Sequence, residues 1–512
     1  MVARTELSAL RDRYDLVIVG GGITGAGIFR EAVRTQASAL LVEARDYASG
    51  TSSWSSKLVH GGLRYLKNGQ WRLTLESVRE RQRLLGEAPG LVEPQTFLMP
   101  IYAGRKPGRW LMQFGLRIYD WMAGARRSRW LDAQTTLEAE ADLARRDLLG
   151  AMAYEDARTD DARLVLRLIL DGCADGGVAL NYVKASVRSD GQRVCGVRLS
   201  DAVSGSEREI DAGVVINATG AWAGALPGAP AGAPSLRPLR GSHLLFSPRR
   251  FGLRHAVSWL HPQDGRPVFA YPWEGAVLYG TTDLDHGETP DEPRITSQEV
   301  DYLLAGLAAQ FPRLCLNAGD VISTYAGVRP VVGGGKADPS AESRESALWQ
   351  TPGLVGITGG KLTTFRVTAR EVLRAAAREL PRLLPQDEQP LFASATPVDS
   401  QRRLYGRLGI AAAGTLMQEV PGEELSRIGD TPWTWAELRW AARHEQVVHL
   451  DDLLLRRSRL GLVVENGARA LLPRVLAICR EELGWDAARC DAEQARWLGR
   501  WQSQHAPPGW TA

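Results

Sequence analysis

Nowhere in its 512 residues does this chain string together anything near 18 uninterrupted apolar side chains, whereas a membrane-spanning helix needs about 20. The sequence therefore predicts a protein that does not cross a bilayer. Its first residues, "MVARTELSALRDRYD", are charged throughout and have no apolar core, so an ordinary secretory leader is not expected. Cysteine is scarce: Cys173, Cys195, Cys315, Cys479 and Cys490 stand far apart, odd in number and never in C-x-x-C spacing. That pattern points away from a disulfide framework and from a zinc or iron–sulfur cage, and it fits a reducing cytoplasm. One-sided charge is missing too, with 62 Lys and Arg against 59 Asp and Glu and a net charge of +3. So mild a balance predicts no nucleic-acid partner, and any basic partner site must be local.

What the chain has is glycine, 53 residues of it, and enough apolar residues, 44%, to fill the cores of about three ordinary domains. The stretch "YDLVIVGGGITGAG" sets the short apolar run Leu16-Val17-Ile18-Val19, a strand buried on both faces, directly before Gly20, Gly21, Gly22 and Gly25. Gly20, Gly22 and Gly25 keep the G-x-G-x-x-G register, and a helix can follow through Ile28, Phe29, Ala32 and Val33. In such a turn the first glycine bends the chain, the second lets backbone approach a pyrophosphate, and the third lets helix and strand pack closely. A second strand, Leu40-Leu41-Val42, ends at Glu43, about 20 residues on, where an acid accepts the ribose hydroxyls. Strand, turn, helix and acid together predict a dinucleotide site.

Beyond it, "GTSSWSSKLVHGGLRYL" (50–66) is expected to be a loop laid against a ligand, and 71–88 an exposed amphipathic helix. The stretches "GVVINATGAWAG", "YAGVRPVVGGG" and "GLVGITGGKLTTF" repeat the strand-to-glycine pattern and suggest one interrupted domain. Short alternating pieces over 236–320 predict an antiparallel, substrate-side sheet. A Pro-rich stretch over 379–397 reads as a linker to a small helical C-terminal domain. The fold expected is α/β: a Rossmann-like FAD-binding domain, an antiparallel-sheet substrate domain as in D-amino-acid oxidase, and C-terminal helices. The oxidoreductase region covers 14–390, with cofactor pieces at about 14–66, 150–235 and 320–385, substrate pieces at about 67–149 and 236–319, and the helical domain over 391–512.

In "VGGGITGAG", "TSSWSSKLVHGGLRYL", "NATGAW", "GVRP" and "GGKLTTFR" the chain resembles the FAD-dependent glycerol 3-phosphate dehydrogenases of the aerobic, respiratory type, and the likeness runs nearly end to end. The resemblance implies FAD as the dinucleotide. Glu43 would then bind the adenosine ribose, while Ser52, Ser53, Lys57, Leu58 and His60 line the pyrophosphate and isoalloxazine. Gly220 would let backbone pass the cofactor, and Gly359, Gly360, Lys361, Leu362 and Thr363 would close over the pyrimidine end. It also implies glycerol 3-phosphate as substrate, held by Arg64, Tyr65, His243, Arg329, Arg344 and Lys361. Arginine suits a phosphate because its fork matches the oxygens and keeps its charge. His243 is the first choice of base, with Arg329 orienting the hydroxyl, His60 the rival, and Lys361 a catalytic cation or a surface salt bridge. Between Pro330 and Arg344 the register is looser than the family pattern. Thr281, Thr282 and Asp283 could touch substrate or only cap a turn.

Cysteine-rich C-terminal extensions of anaerobic relatives carry electrons, and only Cys479 and Cys490 lie there here. The expectation is therefore a membrane quinone as acceptor and a peripheral or monotopic contact with the bilayer surface, at the inner face of the cytoplasmic membrane. The segment 104–130, which interleaves seven Arg and Lys with Trp110, Leu111, Phe114 and Trp121, is the candidate contact, against an ordinary packed helix. A homodimer is left open. The rival enzyme reading is an amine or 2-hydroxy-acid oxidase of the same flavin fold.

Overall fold

Leu16, Val17 and Ile18 have no solvent exposure, and neither do Leu40 and Leu41 on the next strand. Continuous apolar runs of this kind belong in the middle of a parallel sheet covered on both faces. In the computed structural model, which describes residues 4–62, 70–333, 345–385, 389–392 and 399–511, Arg13–Val19 runs between Ala39–Val42 and Glu207–Asn217, parallel to both. Leu354–Gly359 and Val178–Leu180 extend the parallel order on either side, and Ser346–Thr351 closes one edge antiparallel. Helices Ile23–Arg34, Asp161–Ala174 and Phe365–Ala376 contribute to the core on one face. The ribbon Val183–Ser189 with Val194–Asp201 contributes to the core on the other.

Among the described residues a second sheet, of ten strands, lies on the substrate side. It is antiparallel except where Ala256–Leu260 runs parallel to Val92–Tyr102. Its longest pairings are Val92–Tyr102 with Leu148–Thr159 and Leu236–Phe246 with Val321–Val332. These pairings correct the expected boundaries. The strand Val321–Val332, read as a cofactor-domain piece, lies along Leu236–Phe246 from Val332 to Val321 and so belongs to the substrate sheet. Leu148–Thr159 and the short Leu58–Val59 belong there as well. A strand followed by glycine does not reveal which sheet will take its edges, and that choice is made by partners far away in sequence.

The helix Trp71–Glu87 forms as expected but is less exposed, because Arg81 is buried, with its guanidinium 2.8 Å from Asp156 and 2.7 Å from the Tyr119 hydroxyl. The stretch 50–66 holds a tight turn, Thr51–Ser53, and the strand Leu58–Val59. Within the Pro-rich stretch, Leu391 and Phe392 are buried in the core of the parallel-sheet domain, so this piece is packed chain and not free linker.

C-terminal to residue 399 the described chain is helical apart from an isolated bridge between Arg427 and Thr434. Its Trp433, Trp497 and Trp501 share one core with the second sheet. Its arginines do something composition does not announce. Arg456, Arg457 and Arg459 are fully buried, the first two on Asp46 and the third on Asp160 and Asp161. Removing one partner of a buried pair costs about 3–5 kcal/mol, because the other charge is left desolvated. The helical region is thus locked to the parallel-sheet domain by ions.

Candidate active site

The first strand ends at Gly20, whose φ of +116° is one that side-chain-bearing residues rarely adopt. A Cβ on Gly25 would stand 1.9 Å from the Gly20 carbonyl oxygen, so helix and turn touch here only because both positions are glycine. Gly22 caps helix Ile23–Arg34, and a Cβ there would meet only Ser52 Oγ, at 3.2 Å. Space is therefore open at a helix N-terminus, where N–H groups and the helix dipole favour an anion. Ser52 Oγ accepts from Ile23 N–H at 2.9 Å and fixes the next loop to the turn. Glu43 accepts from Gly21 N–H at 2.7 Å and from Arg45 N–H at 2.9 Å, one bond to each carboxylate oxygen. A carboxylate has about four lone-pair sites, so acceptor capacity remains for a diol. Burial pushes the Glu43 carboxyl above its ordinary range, against the pull of those two N–H donors.

Three more segments gather at this turn. Thr358 Oγ1 donates to the Gly220 carbonyl at 2.8 Å, and Thr363 Oγ1 to the His60 carbonyl at 3.2 Å. Leu362 packs on the parallel-sheet core and leads into Phe365–Ala376. Leu58 and Ser53 are buried, and Ser53 Oγ has no hydrogen-bond partner among the described residues. An orphaned buried hydroxyl beside an open helix end fits a polar ligand with acceptors at that position. Lys57 departs from expectation. Its ammonium is buried 3.0 Å from Asp161 Oδ2 and also meets the Ser53 carbonyl, so it braces the loop from behind instead of lining the cleft. Burial lowers its pKa to about 8, with Asp161 opposing.

The substrate-side strands lie directly on this loop. Thr51 Oγ1 donates to the Val328 carbonyl at 2.6 Å, one residue before Arg329. The Arg329 guanidinium, partly exposed, reaches Asp283 at 2.8 Å and Thr281 Oγ1 at 3.1 Å, and Arg266 holds the other Asp283 oxygen at 2.7 Å. The "GTTD" segment is thus a bracket for Arg329, and Thr282 ties it to Glu299 at 2.7 Å. His243 stands opposite Tyr325 and Gly280 in the sheet, stacked on the Tyr325 ring at 4.6 Å. A side chain at Gly280 would come within 2.3 Å of the imidazole. Ser56 Oγ lies 2.9 Å from His243 Nε2, while Nδ1 is buried without a partner among the described residues. Burial first, then the Arg329 and Lys57 charges, hold the His243 pKa well below the usual histidine value. These influences keep the ring in its neutral form, with Nε2 the atom that faces Ser56. Lys361 is half-buried and close enough to favour the charged form of Glu76, against burial and Glu371. Arg64, Tyr65 and Arg344 lie outside the described residues.

Sequence reasoning passed over Ser56, Arg266 and Asp161. Ser56 had a signal, its place in a run of hydroxyl residues, but nothing local distinguishes it from Ser55, which instead donates to Asp161 at 2.6 Å.

This arrangement of a glycine-cradled helix end, a ribose-type acid and a cationic antiparallel sheet defines a two-domain FAD-dependent oxidoreductase. Residues 15–375 match that family, the FAD dependent oxidoreductases, and residues 366–490 match the C-terminal domain of alpha-glycerophosphate oxidase. The chain belongs to this family, in the branch of the aerobic glycerol-3-phosphate dehydrogenases, and FAD is its cofactor. The enzyme of that name from Staphylococcus haemolyticus is 37% identical over 377 residues, covering 72% of this chain and 68% of that one. The Bacillus subtilis enzyme is 38% identical over 368 residues, covering 70% and 66%. A glycerol-3-phosphate dehydrogenase from Bacillus halodurans complexed with FAD superposes with a TM-score of 0.78 at 28% identity, covering 98% of this chain and 97% of that one. The L-alpha-glycerophosphate oxidase of Mycoplasma pneumoniae, at 18% identity and a TM-score of 0.57, covers 76% of this chain and all of its own, and shares the fold.

Proposed function

We propose that this chain oxidises sn-glycerol 3-phosphate to dihydroxyacetone phosphate and passes the electrons to a membrane quinone. The observation that carries the reading is the seating of the Arg329 and His243 strands on the cofactor loop, through Thr51 to Val328 and Ser56 to His243. The turn Gly20–Gly25, Glu43, Ser52 and Ser53 hold the FAD, with Gly220 and the segment from Gly359 to Thr363 closing around it. Bound there, FAD supplies the hydride acceptor. Arg329, kept in place by Asp283 and Thr281, binds the substrate and steadies negative charge on its oxygen. Neutral His243 takes the hydroxyl proton, reached through Ser56 because the ring itself is buried. Lys361 adds a cation from the opposite loop, whose Thr363 bonds the His60 carbonyl.

For electron exit we assign the helix Arg109–Ala123 to the membrane surface. Trp110, Leu111, Phe114 and Trp121 are 75%, 68%, 65% and 78% exposed, although such side chains are normally buried. They fall on one side of the helix, next to basic residues, as in helices that lie in a bilayer interface. No described helix is long and apolar enough to cross a membrane. Anaerobic mixing tests the chemistry: sn-glycerol 3-phosphate should bleach the flavin, and amines or 2-hydroxy acids should not. Bleaching by an amine in its place transfers the chain to the rival oxidase reading.

A further inference from the structure

Beneath that helix lies a cavity of about 660 Å³ that the chemistry above does not use. Its size falls within the range of about 300–1,000 Å³ typical of small-molecule sites. The helix supplies Gln113 and Arg117, the following segment supplies Arg126, Arg127 and Arg129, and the floor includes Glu155. Four arginines therefore face one carboxylate. Arg127 is matched to Glu155, whereas Arg117, Arg126 and Arg129 meet no carboxylate among the described residues. Gln113 Oε1 is buried and has no hydrogen-bond partner among the described residues. The wall is built and not merely accumulated: Ser128 donates through N–H at 3.0 Å and through Oγ at 2.5 Å to Asp120, which pins the arginine segment to the helix end. Arg109 stacks on Trp130 of the lining at 4.3 Å.

Arg117, Arg126 and Arg129 are exposed and solvated, so they can converge on a phosphate entering from the surface, while the buried, orphaned Gln113 oxygen calls for a hydroxyl donor beside it. Position decides the source. Gln113 and Arg117 stand three and seven residues after Trp110, so the cavity edge adjoins the exposed tryptophan stripe. We infer that the cavity is a headgroup site for an anionic phospholipid, a phosphodiester with a neighbouring hydroxyl, engaged when the stripe lies on the bilayer. The inference rests on the membrane reading of the helix and adds selectivity to it: the stripe supplies apolar adhesion, and the cavity reads the lipid.

The test is sedimentation of the FAD-loaded chain with vesicles of phosphatidylcholine alone or mixed with phosphatidylglycerol. Two variants address the cavity: Thr96→Trp, which fills it from the floor without changing charge, and the triple Arg117→Gln, Arg126→Gln, Arg129→Gln. The control Arg105→Gln, Lys106→Gln removes charge from the same segment outside the lining. Flavin content and melting temperature check folding. The wild type should prefer phosphatidylglycerol vesicles at least tenfold, since one basic group near an anionic surface is worth about fivefold in partitioning. Thr96→Trp and the triple variant should lose that preference, and the control should keep most of it. If Thr96→Trp partitions like the wild type, or the control loses as much as the triple variant, the attraction is diffuse and the site is wrong. If inorganic phosphate raises the melting temperature of the wild type but not of the triple variant while phosphatidylglycerol confers no preference, the site serves a soluble phosphate and the lipid assignment is wrong. Equal binding to both vesicles overturns the headgroup site and leaves the stripe standing, whereas binding to neither overturns the membrane reading itself.

Discussion

Replacing Arg459 by methionine should test the join between the helical region and the cofactor domain severely. The side chain is fully buried and its guanidinium makes four hydrogen bonds: 2.9 and 2.7 Å to Asp160, 2.6 Å to Asp161 and 2.7 Å to the Leu455 carbonyl. Methionine preserves much of the volume and none of the charge. Asp160 would retain Arg407 at 2.7 Å, and Asp161 would retain Lys57 and Ser55. Loss of one partner from a buried ion cluster costs about 3–5 kcal/mol, against about 1 kcal/mol for an average substitution. Asp160 also caps helix Asp161–Ala174, accepting from Arg163 N–H at 3.3 Å, so the damage spreads to that helix start. The effect is pH-dependent with a definite sign. Burial tends to raise the Asp160 carboxyl, but Arg459 and Arg407 overcome it and hold the group well below the ordinary carboxylate range. A carboxyl whose pKa is depressed on folding contributes stability that is complete above its unfolded value, near 4, and is lost as pH falls through the folded one. In Arg459→Met the folded value rises, so that contribution shrinks at neutral pH and its loss on acidification, which still begins near the unfolded value, is complete at a higher pH. Urea unfolding of the FAD-loaded protein at pH 7 and at about pH 3, below the unfolded carboxyl value, followed by tryptophan fluorescence and flavin release, measures both effects. A loss below about 1 kcal/mol, with an unchanged acid limb, would refute the reasoning.

Three other outcomes are expected. Gly22→Val should purify without FAD, because a branched side chain at the cap enters the open space beside Ser52, and flavin absorbance per chain reports it. Arg329→Lys should lower kcat/KM for glycerol 3-phosphate on the order of a hundredfold, since an ammonium cannot reach both Asp283 and a substrate oxygen as the planar fork does, and steady-state kinetics with a soluble acceptor measures it. Trp110→Ser with Trp121→Ser should abolish vesicle binding at high salt, where charge is screened and apolar insertion is not; sedimentation in strong salt checks this.

The turn, helix and acid proposed to hold the cofactor were legible because each requirement there is local. A buried strand, three glycines in register and an acid at the end of the next strand are all written within 30 residues, and Gly20, Gly22 and Glu43 stand as that pattern demands. His243 and Arg329 were legible only through resemblance, because their partners Ser56, Tyr325, Asp283 and Arg266 arrive by sheet pairing across tens to hundreds of residues. Lys57 was misread for the same reason. A lysine between hydroxyl residues looks like an anion contact until Asp161, more than 100 positions away, turns it inward. Nor does a run such as "DDLLLRRSRL" disclose that its arginines will be buried, since their acids sit at 46, 160 and 161.

The most direct test of the central claim is the anaerobic flavin titration with sn-glycerol 3-phosphate and, separately, glycerol. The two substrates share the alcohol and differ only in the phosphate, which the arginines of the second sheet are proposed to hold. The account predicts full bleaching by the phosphorylated substrate at low concentration and far weaker bleaching by glycerol. Equal bleaching by the two, or none by glycerol 3-phosphate, would contradict it.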